Sequence, residues 1–205
     1  MRPITMIVYP RSLVPRIEAF AREIITALPA GYAYHCIEHT EMVVEQARMI
    51  ADAVSLTEDQ TALLTMAAWL HDVGFRIRYR GHEKESCAAA REKLANELSA
   101  EDMASIEEAI MGTEIPQRAT HPISHALCDA DLLYMGGDHF FVWSARLREE
   151  HLKVLKREYS DLEWIEYNID FVHDHTFFTA FAREHYGEGL LRNLRALEEM
   201  RMVLL

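Results

Sequence analysis

Apolar residues recur along this chain at intervals of three and four positions, and sustained alternation of Val, Ile and Thr is almost absent. A period near 3.6 residues is typical of an α-helix with one buried face, whereas a strand with one buried face needs a period of two. The pattern therefore predicts an all-α fold. With only 8 glycines and 6 prolines in 205 residues, collagen-like and low-complexity disordered chains are excluded.

Capping residues and helix breakers divide this pattern into separate predicted helices. After an irregular start, the first helix begins near Ser12 and runs to about Leu28, and the second carries His39 on its apolar stripe. The third begins with a capping-box type of sequence at Thr57 and ends at Gly74. Further helices are predicted over residues 83–97, 100–112, 122–136, 139–158, 161–173 and 188–202.

The charge of the chain restricts its partners. Asp and Glu number 33 against 21 Lys and Arg, and a net charge of −12 excludes a broad basic surface for long nucleic acid. No stretch approaches the roughly 18 to 20 apolar residues of a membrane span, and the three cysteines lack a CxxC spacing. We expect a cytoplasmic single domain over residues 1–205, with a homodimer left open. The last helix is expected to pack on the bundle, with partner binding as the alternative.

Three polar side chains share helix faces with apolar residues. His39 heads the stripe of the second helix, His71 continues that of the third, and Asp131 lies at the inward edge of a later helix. A buried carboxylate normally neutralises, finds a partner or binds a metal, although a lone histidine is often a satisfied core residue. Asp72 follows His71 near a helix end, where neighbouring side chains can reach one ion. Imidazoles and carboxylates together suggest a divalent cation.

Three segments resemble the motifs of the HD-domain superfamily of metal-dependent phosphohydrolases. They are Tyr34 to Thr40, Ala67 to Gly74 and Cys128 to Leu132. The resemblance covers about residues 30–136 and leaves 137–205 as a C-terminal helical extension, which is similar to a bacterial subgroup of predicted HD phosphohydrolases. It implies an HD-type helical bundle with additional C-terminal helices and one divalent ion, Mn, Co, Ni, Fe, Mg or Zn. The ligands that it implies are His39, His71, Asp72 and Asp131.

The chain departs from the family pattern at several positions. Asp129 is an alternative ligand to Asp131, or else orients a ligand histidine from behind. Many members carry a Lys or Glu shortly after the His-Asp pair, where this chain has Phe75. Members with two metals use a further histidine where this chain has Thr113. The nearest later histidines are His121 and His125, so one ion is expected and a second is left open.

Other polar residues near the motifs are candidate catalytic and substrate-binding groups. The pair His82 and Glu83 resembles an element that binds a second metal or the substrate, and a solvated helix start is the alternative. His35 is expected either to contact the substrate phosphate or water at the pocket rim, or to be structural. Asp72 is expected to accept a proton, while His82 or His35 serves the leaving group.

Three arginines, Arg76, Arg78 and Arg80, follow the His-Asp pair and suggest a phosphate clamp, with a solvated loop as the alternative. The resemblance implies hydrolysis of a nucleotide or another small phosphorylated metabolite by a metal-activated water. A non-catalytic metal- or nucleotide-binding signalling module is the alternative, and Phe75 keeps it open. A phosphodiesterase of the cyclic-nucleotide type would share the same site.

Overall fold

The computed structural model describes residues 10–205, and within that range it contains nine α-helices and no β-strand. The all-α prediction is therefore confirmed, while the irregular start over residues 1–9 lies outside the described range. The helices are α1 (Pro10–Thr26), α2 (Ile37–Ala53), α3 (Glu58–Leu70), α4 (His82–Leu94), α5 (Ala100–Gly112), α6 (Pro122–Leu132), α7 (Phe140–Val154), α8 (Asp161–Asp174) and α9 (Ala180–Leu204). Short 3-10 turns cover Val73–Arg76 and Leu133–Gly136.

Helix α3 lies at the centre of the bundle. Every residue from Ala62 to Leu70 is buried, and the helix packs against α1, α2, α5 and α6. A helix that is apolar on all sides belongs in a core, because it has no face to give to water. Helix α2 also packs on α6, so α2, α3 and α6 all contact one another.

Every predicted helix is present, but several boundaries differ. The helices predicted to end at 97, 136 and 158 end at Leu94, Leu132 and Val154. Helix α3 ends at Leu70 rather than at Gly74, so the residues after it form a turn and a 3-10 segment. Helix α9 begins at Ala180 rather than at 188, because Thr179 caps it by accepting a hydrogen bond from the backbone N–H of Ala182 at 3.1 Å. Glycine inside a helix disfavours helix formation, yet α9 contains Gly189. A Cβ at this position would lie 1.9 Å from the backbone oxygen of Gly136, so the close contact between α9 and the Leu133–Gly136 turn requires glycine.

Helix α9 packs on the bundle through only part of its predicted apolar stripe. Leu190 and Leu197 are buried, whereas Leu191 and Met200 are 55% and 47% exposed. Although α9 is 25 residues long, none of the helices in residues 10–205 has both the length and the apolar character to cross a bilayer.

Candidate metal centre

Three predicted ligands converge where α2 meets the turn after α3. Ligand atoms of His39, His71 and Asp72 all lie within 4.8 Å of one another, and all three residues are buried. The Oδ2 atom of Asp72 is 3.2 Å from Nε2 of His71 and 3.7 Å from Nε2 of His39. The fold thus brings together three side chains that are 33 positions apart at most in the sequence.

Asp131 approaches the same two imidazoles from α6. Its Oδ1 atom lies 3.2 Å from Nε2 of His39 and 3.7 Å from Nε2 of His71. Unlike those histidines, Asp131 is partly exposed, with 14% of its side chain accessible. It lies outside the tightest group of ligand atoms but faces the same nitrogens.

The donor atoms of this cluster fit a divalent cation. Nδ1 of His71 lies 2.7 Å from the carbonyl of Ala68, which fixes the proton on that nitrogen and leaves the lone pair on Nε2. Nε2 of both His39 and His71 and Oδ2 of Asp72 are buried without a hydrogen-bond partner among the described residues. Buried polar atoms are normally satisfied, and these are the atom types that bind divalent metals.

The electrostatics of the cluster favour positive charge. Burial alone would lower the pKa of His71, but the carboxylates of Asp72 and Asp131 outweigh it and raise the pKa to about 9. Although burial also opposes the charged form of Asp72, the neighbouring imidazoles hold the pKa of that carboxyl well below its usual range. The carboxylates of Asp72 and Asp131 would attract a divalent cation in the same way.

The turn after α3 is held against the start of α4. The hydroxyl of Ser86 donates to the carbonyl of His71 at 2.6 Å and accepts from the N–H of Gly74 at 2.9 Å. A Cβ on Gly74 would lie 1.9 Å from the carbonyl oxygen of His82, so glycine is needed for this close approach. The approach places Nε2 of His82 3.3 Å from Oδ1 of Asp72.

Asp129 has a different role from either one predicted for it. Its Oδ1 atom accepts from the N–H of Phe178 at 2.7 Å, and Oδ2 accepts from the N–H and the hydroxyl of Thr179 at 2.8 and 2.7 Å. Positions two apart on a helix differ by about 200°, so Asp129 and Asp131 face opposite ways. The alternatives of metal ligand and histidine orienter are therefore wrong, and Asp129 ties α6 to the start of α9.

The cluster opens onto a cavity of about 310 Å³. Its walls include five residues predicted from the sequence, namely His35, Asp72, His82, Glu83 and Asp131. The ring of Phe75 stacks on His82 with centroids 3.7 Å apart and lies 4.0 Å from the ring of His35. The ring of Phe75 therefore lies between the imidazoles of His35 and His82, next to the cluster of predicted metal ligands.

Glu150, on α7, is a buried residue that sequence reasoning missed. Its carboxylate accepts from the backbone N–H groups of Tyr34 and His35 at 2.8 and 2.9 Å and from the hydroxyl of Tyr79 at 2.8 Å, and it contacts Nδ1 of His35. Despite burial, the two carboxylates of Glu150 and Asp72 raise the pKa of His35. His35 conversely helps to lower the pKa of Glu150 against the effect of burial.

A signal for Glu150 exists in the helical phase of α7. It follows the buried Phe140 and Trp143 and the half-buried Leu147 at intervals of three and four, on the inward face. Because Glu150 is one of two adjacent glutamates, the sequence alone suggests a solvated charge. Only its position on the apolar face of α7 indicates a buried carboxylate that needs hydrogen-bond partners.

The predicted phosphate clamp does not reach the cavity. Arg76, Arg78 and Arg80 are exposed, none of them lines the cavity, and Arg78 pairs with Glu85 at 2.6 Å. The turn directs the aromatic side chains of Phe75 and Tyr79 inward instead. The guanidinium groups of the three arginines are more stable in water at the surface than they would be against an aromatic wall.

The histidines considered for a second metal also lie elsewhere. Nε2 of His121 is 3.0 Å from a carboxylate oxygen of Glu108, and His125 stacks on Phe178 with centroids 5.4 Å apart. Neither lines the cavity, whereas Thr113 does.

Comparison with known proteins identifies the domain. The HD domain family matches residues 36–136, which include all four predicted ligands. A crystal structure of a structural-genomics target from Lactobacillus plantarum superimposes with a TM-score of 0.70, covering 97% of this chain and 99% of that one at 17% identity. At that identity the likeness shows a shared fold, and no curated protein matches the chain. HD domains bind divalent metals, and the chain belongs to the HD domain family through residues 36–136.

Proposed function

We propose that this protein is a metal-dependent phosphohydrolase that acts on a small phosphoester, a class that includes nucleotides. The observation that carries the proposal is that the ligand cluster opens onto a cavity, with Asp72 and Asp131 both in its wall. Structural metal sites are usually closed by protein ligands, whereas catalytic sites keep a position open for water and substrate. Membership of the HD domain family supports a hydrolase of the metal-dependent superfamily.

His39, His71, Asp72 and Asp131 would hold the ion. When bound, it would polarise a phosphoryl oxygen and lower the pKa of water. Water attacks phosphorus as the bond to the leaving oxygen breaks. Asp72 uses Oδ2 toward the cluster, which leaves Oδ1 to accept the proton from water, and that atom is 3.3 Å from Nε2 of His82.

His82 and His35 take different parts in this proposal. Nδ1 of His82 faces the carbonyl of Tyr79 at 3.1 Å, so Nε2 is the atom that exchanges protons and donates to the leaving oxygen. His35 would contact the phosphate, and the contact of its Nδ1 with the Glu150 carboxylate favours the protonated ring because it raises the pKa of His35. Because no Lys or Arg of residues 10–205 lines the cavity, the ion and the imidazoles must balance the phosphate charge.

The proposal predicts metal-dependent turnover of simple phosphoesters. The protein is stripped with chelator and assayed with p-nitrophenyl phosphate, bis-p-nitrophenyl phosphate, nucleoside monophosphates and cyclic nucleotides, with and without Mn²⁺, Co²⁺, Ni²⁺, Mg²⁺ or Zn²⁺. We expect hydrolysis only after a divalent ion is restored. A protein that binds an ion at the cluster yet hydrolyses none of these compounds is instead a binding module.

A further inference from the structure

A second cavity, of about 600 Å³, adjoins the cavity onto which the ligand cluster opens. Four residues line both cavities and therefore form a common wall, namely Ile115, Leu132, Tyr167 and Phe171. Two of these come from α8, in the C-terminal part of the chain outside residues 36–136. A substrate whose phosphate lies at the metal cluster can thus extend its organic part along α8 into the second cavity.

One face of α8 forms this wall. Tyr167, Asp170, Phe171 and Asp174 follow one another at spacings of three, one and three, so they share a side of the helix. The rings of Tyr167 and Phe171 are nearly parallel, at 3° with centroids 6.3 Å apart. Both aspartates line the second cavity and are exposed to solvent, so the aromatic wall ends in a rim of two carboxylates.

Besides the hydroxyls of Tyr167 and Thr176, which can donate or accept, the second cavity has polar side chains in Gln117 and His175. The side-chain N–H of Gln117 donates to the carbonyl of Cys128 at 3.0 Å, so its oxygen is the free end of the amide. That oxygen and Nε2 of His175 are buried without a hydrogen-bond partner among the described residues. No Lys or Arg in residues 10–205 lines this cavity, although the guanidinium of Arg183 donates to the backbone carbonyl of Phe178 in its wall.

We propose that the second cavity binds the organic part of the phosphoester and selects a leaving group that carries a protonated or quaternary amine. Aromatic faces attract organic cations, and the carboxylate rim adds to that attraction. A protonated amine, unlike a quaternary one, also supplies an N–H donor for the Gln117 oxygen, whereas the two aspartates would repel a carboxylate. The inference rests on the proposed phosphohydrolase function, because it takes the phosphate to lie at the metal cluster.

The test measures binding and does not require turnover. Alkylphosphonates of three to six carbons that end in an ammonium, a methyl, a carboxylate or a phenyl group are titrated calorimetrically into the Mn²⁺-loaded protein. We expect the best ammonium compound to bind about tenfold more tightly than its methyl counterpart, and the carboxylate to bind most weakly. The double variant Asp170→Asn, Asp174→Asn should lose most of this preference and keep its affinity for the methyl compound.

Glu166→Gln is the matched control, since Glu166 is an exposed acid on the same helix that lines neither cavity. It should retain the ammonium preference. Equal affinity for ammonium and methyl compounds, tighter binding of carboxylate or phenyl compounds, or no binding of any phosphonate would overturn the inference. Selective ammonium binding by a protein that hydrolyses no phosphoester would overturn the proposed function and leave the cavity assignment standing.

Discussion

His71→Ala is expected to abolish metal retention and to lower kcat/KM for a phosphoester by at least about a thousandfold. The variant removes Nε2, one of the two imidazole nitrogens that face both Asp72 and Asp131. A catalytic ion contributes several kcal/mol to the transition state, and each 1.36 kcal/mol is a factor of ten in rate. Metal content after gel filtration and steady-state kinetics measure the two losses.

The thermal midpoint Tm separates this loss from unfolding. Binding of an ion to the folded state raises stability by about 2.7 kcal/mol when the ion is at a hundred times its Kd. Mn²⁺ should therefore raise the Tm of the wild-type protein and leave that of His71→Ala unchanged. His173→Ala is the matched control, because His173 is exposed and lines neither cavity. Equal metal content in wild-type protein and His71→Ala would contradict the ligand assignment.

Glu150→Gln is expected to destabilise the fold by about 3 kcal/mol and to lower kcat/KM by roughly 10- to 100-fold. The carboxylate is fully buried and accepts from Tyr34, His35 and Tyr79. An amide removes the charge that His35 faces and turns an N–H group toward these donors. Urea unfolding measures the stability, and Glu149→Gln, an exposed neighbour paired with Lys153, is the control.

The pH dependence of this deficit follows from the two pKa shifts. The pKa of Glu150 is lowered by folding, so its contribution is present above about pH 4.5 and is lost as pH falls through the folded value. The pKa of His35 is raised by folding, so its contribution is complete below about pH 6.5 and is lost as pH rises through the folded value. The stability difference between wild-type protein and Glu150→Gln should therefore be largest between these limits.

The pH profile of kcat/KM distinguishes a role of Glu150 in positioning and charging His35 from a purely structural role. If Glu150 holds His35 protonated over the substrate, the alkaline limb of the kcat/KM profile should move to lower pH in Glu150→Gln, because His35 loses its partner. A stability deficit that does not vary with pH, together with an unmoved alkaline limb, would show that Glu150 only fills the core.

The ligand cluster could be predicted in large part because three of its residues follow a local rule. His39, His71 and Asp131 share a helical phase with apolar neighbours, which marks them as inward without knowledge of the fold. The start of α3 was equally predictable, since its cap is formed by Thr57 and Gln60, which are only three positions apart in the sequence. The separation of Asp131 from Asp129 also follows from helical phase, once α6 is placed.

The surroundings of the cluster depend on contacts distant in sequence. His35 and Glu150 are 115 residues apart, and Asp129 and Thr179 are 50 apart, so neither pair leaves a local pattern. The arginines after the His-Asp pair suggested a clamp from charge alone, but the path of the turn gave the inward positions to Phe75 and Tyr79. Side-chain direction in an irregular turn is set by tertiary contacts, which periodicity does not report.

Anomalous diffraction from crystals grown with Mn²⁺ tests the central claim most directly. The account predicts a strong anomalous peak between Nε2 of His39, Nε2 of His71, Oδ2 of Asp72 and Oδ1 of Asp131, on the side that opens to the cavity. The same data from Asp131→Asn crystals should show a weaker peak or none. A wild-type map without a peak at this cluster, or with its main peak elsewhere, would contradict the account.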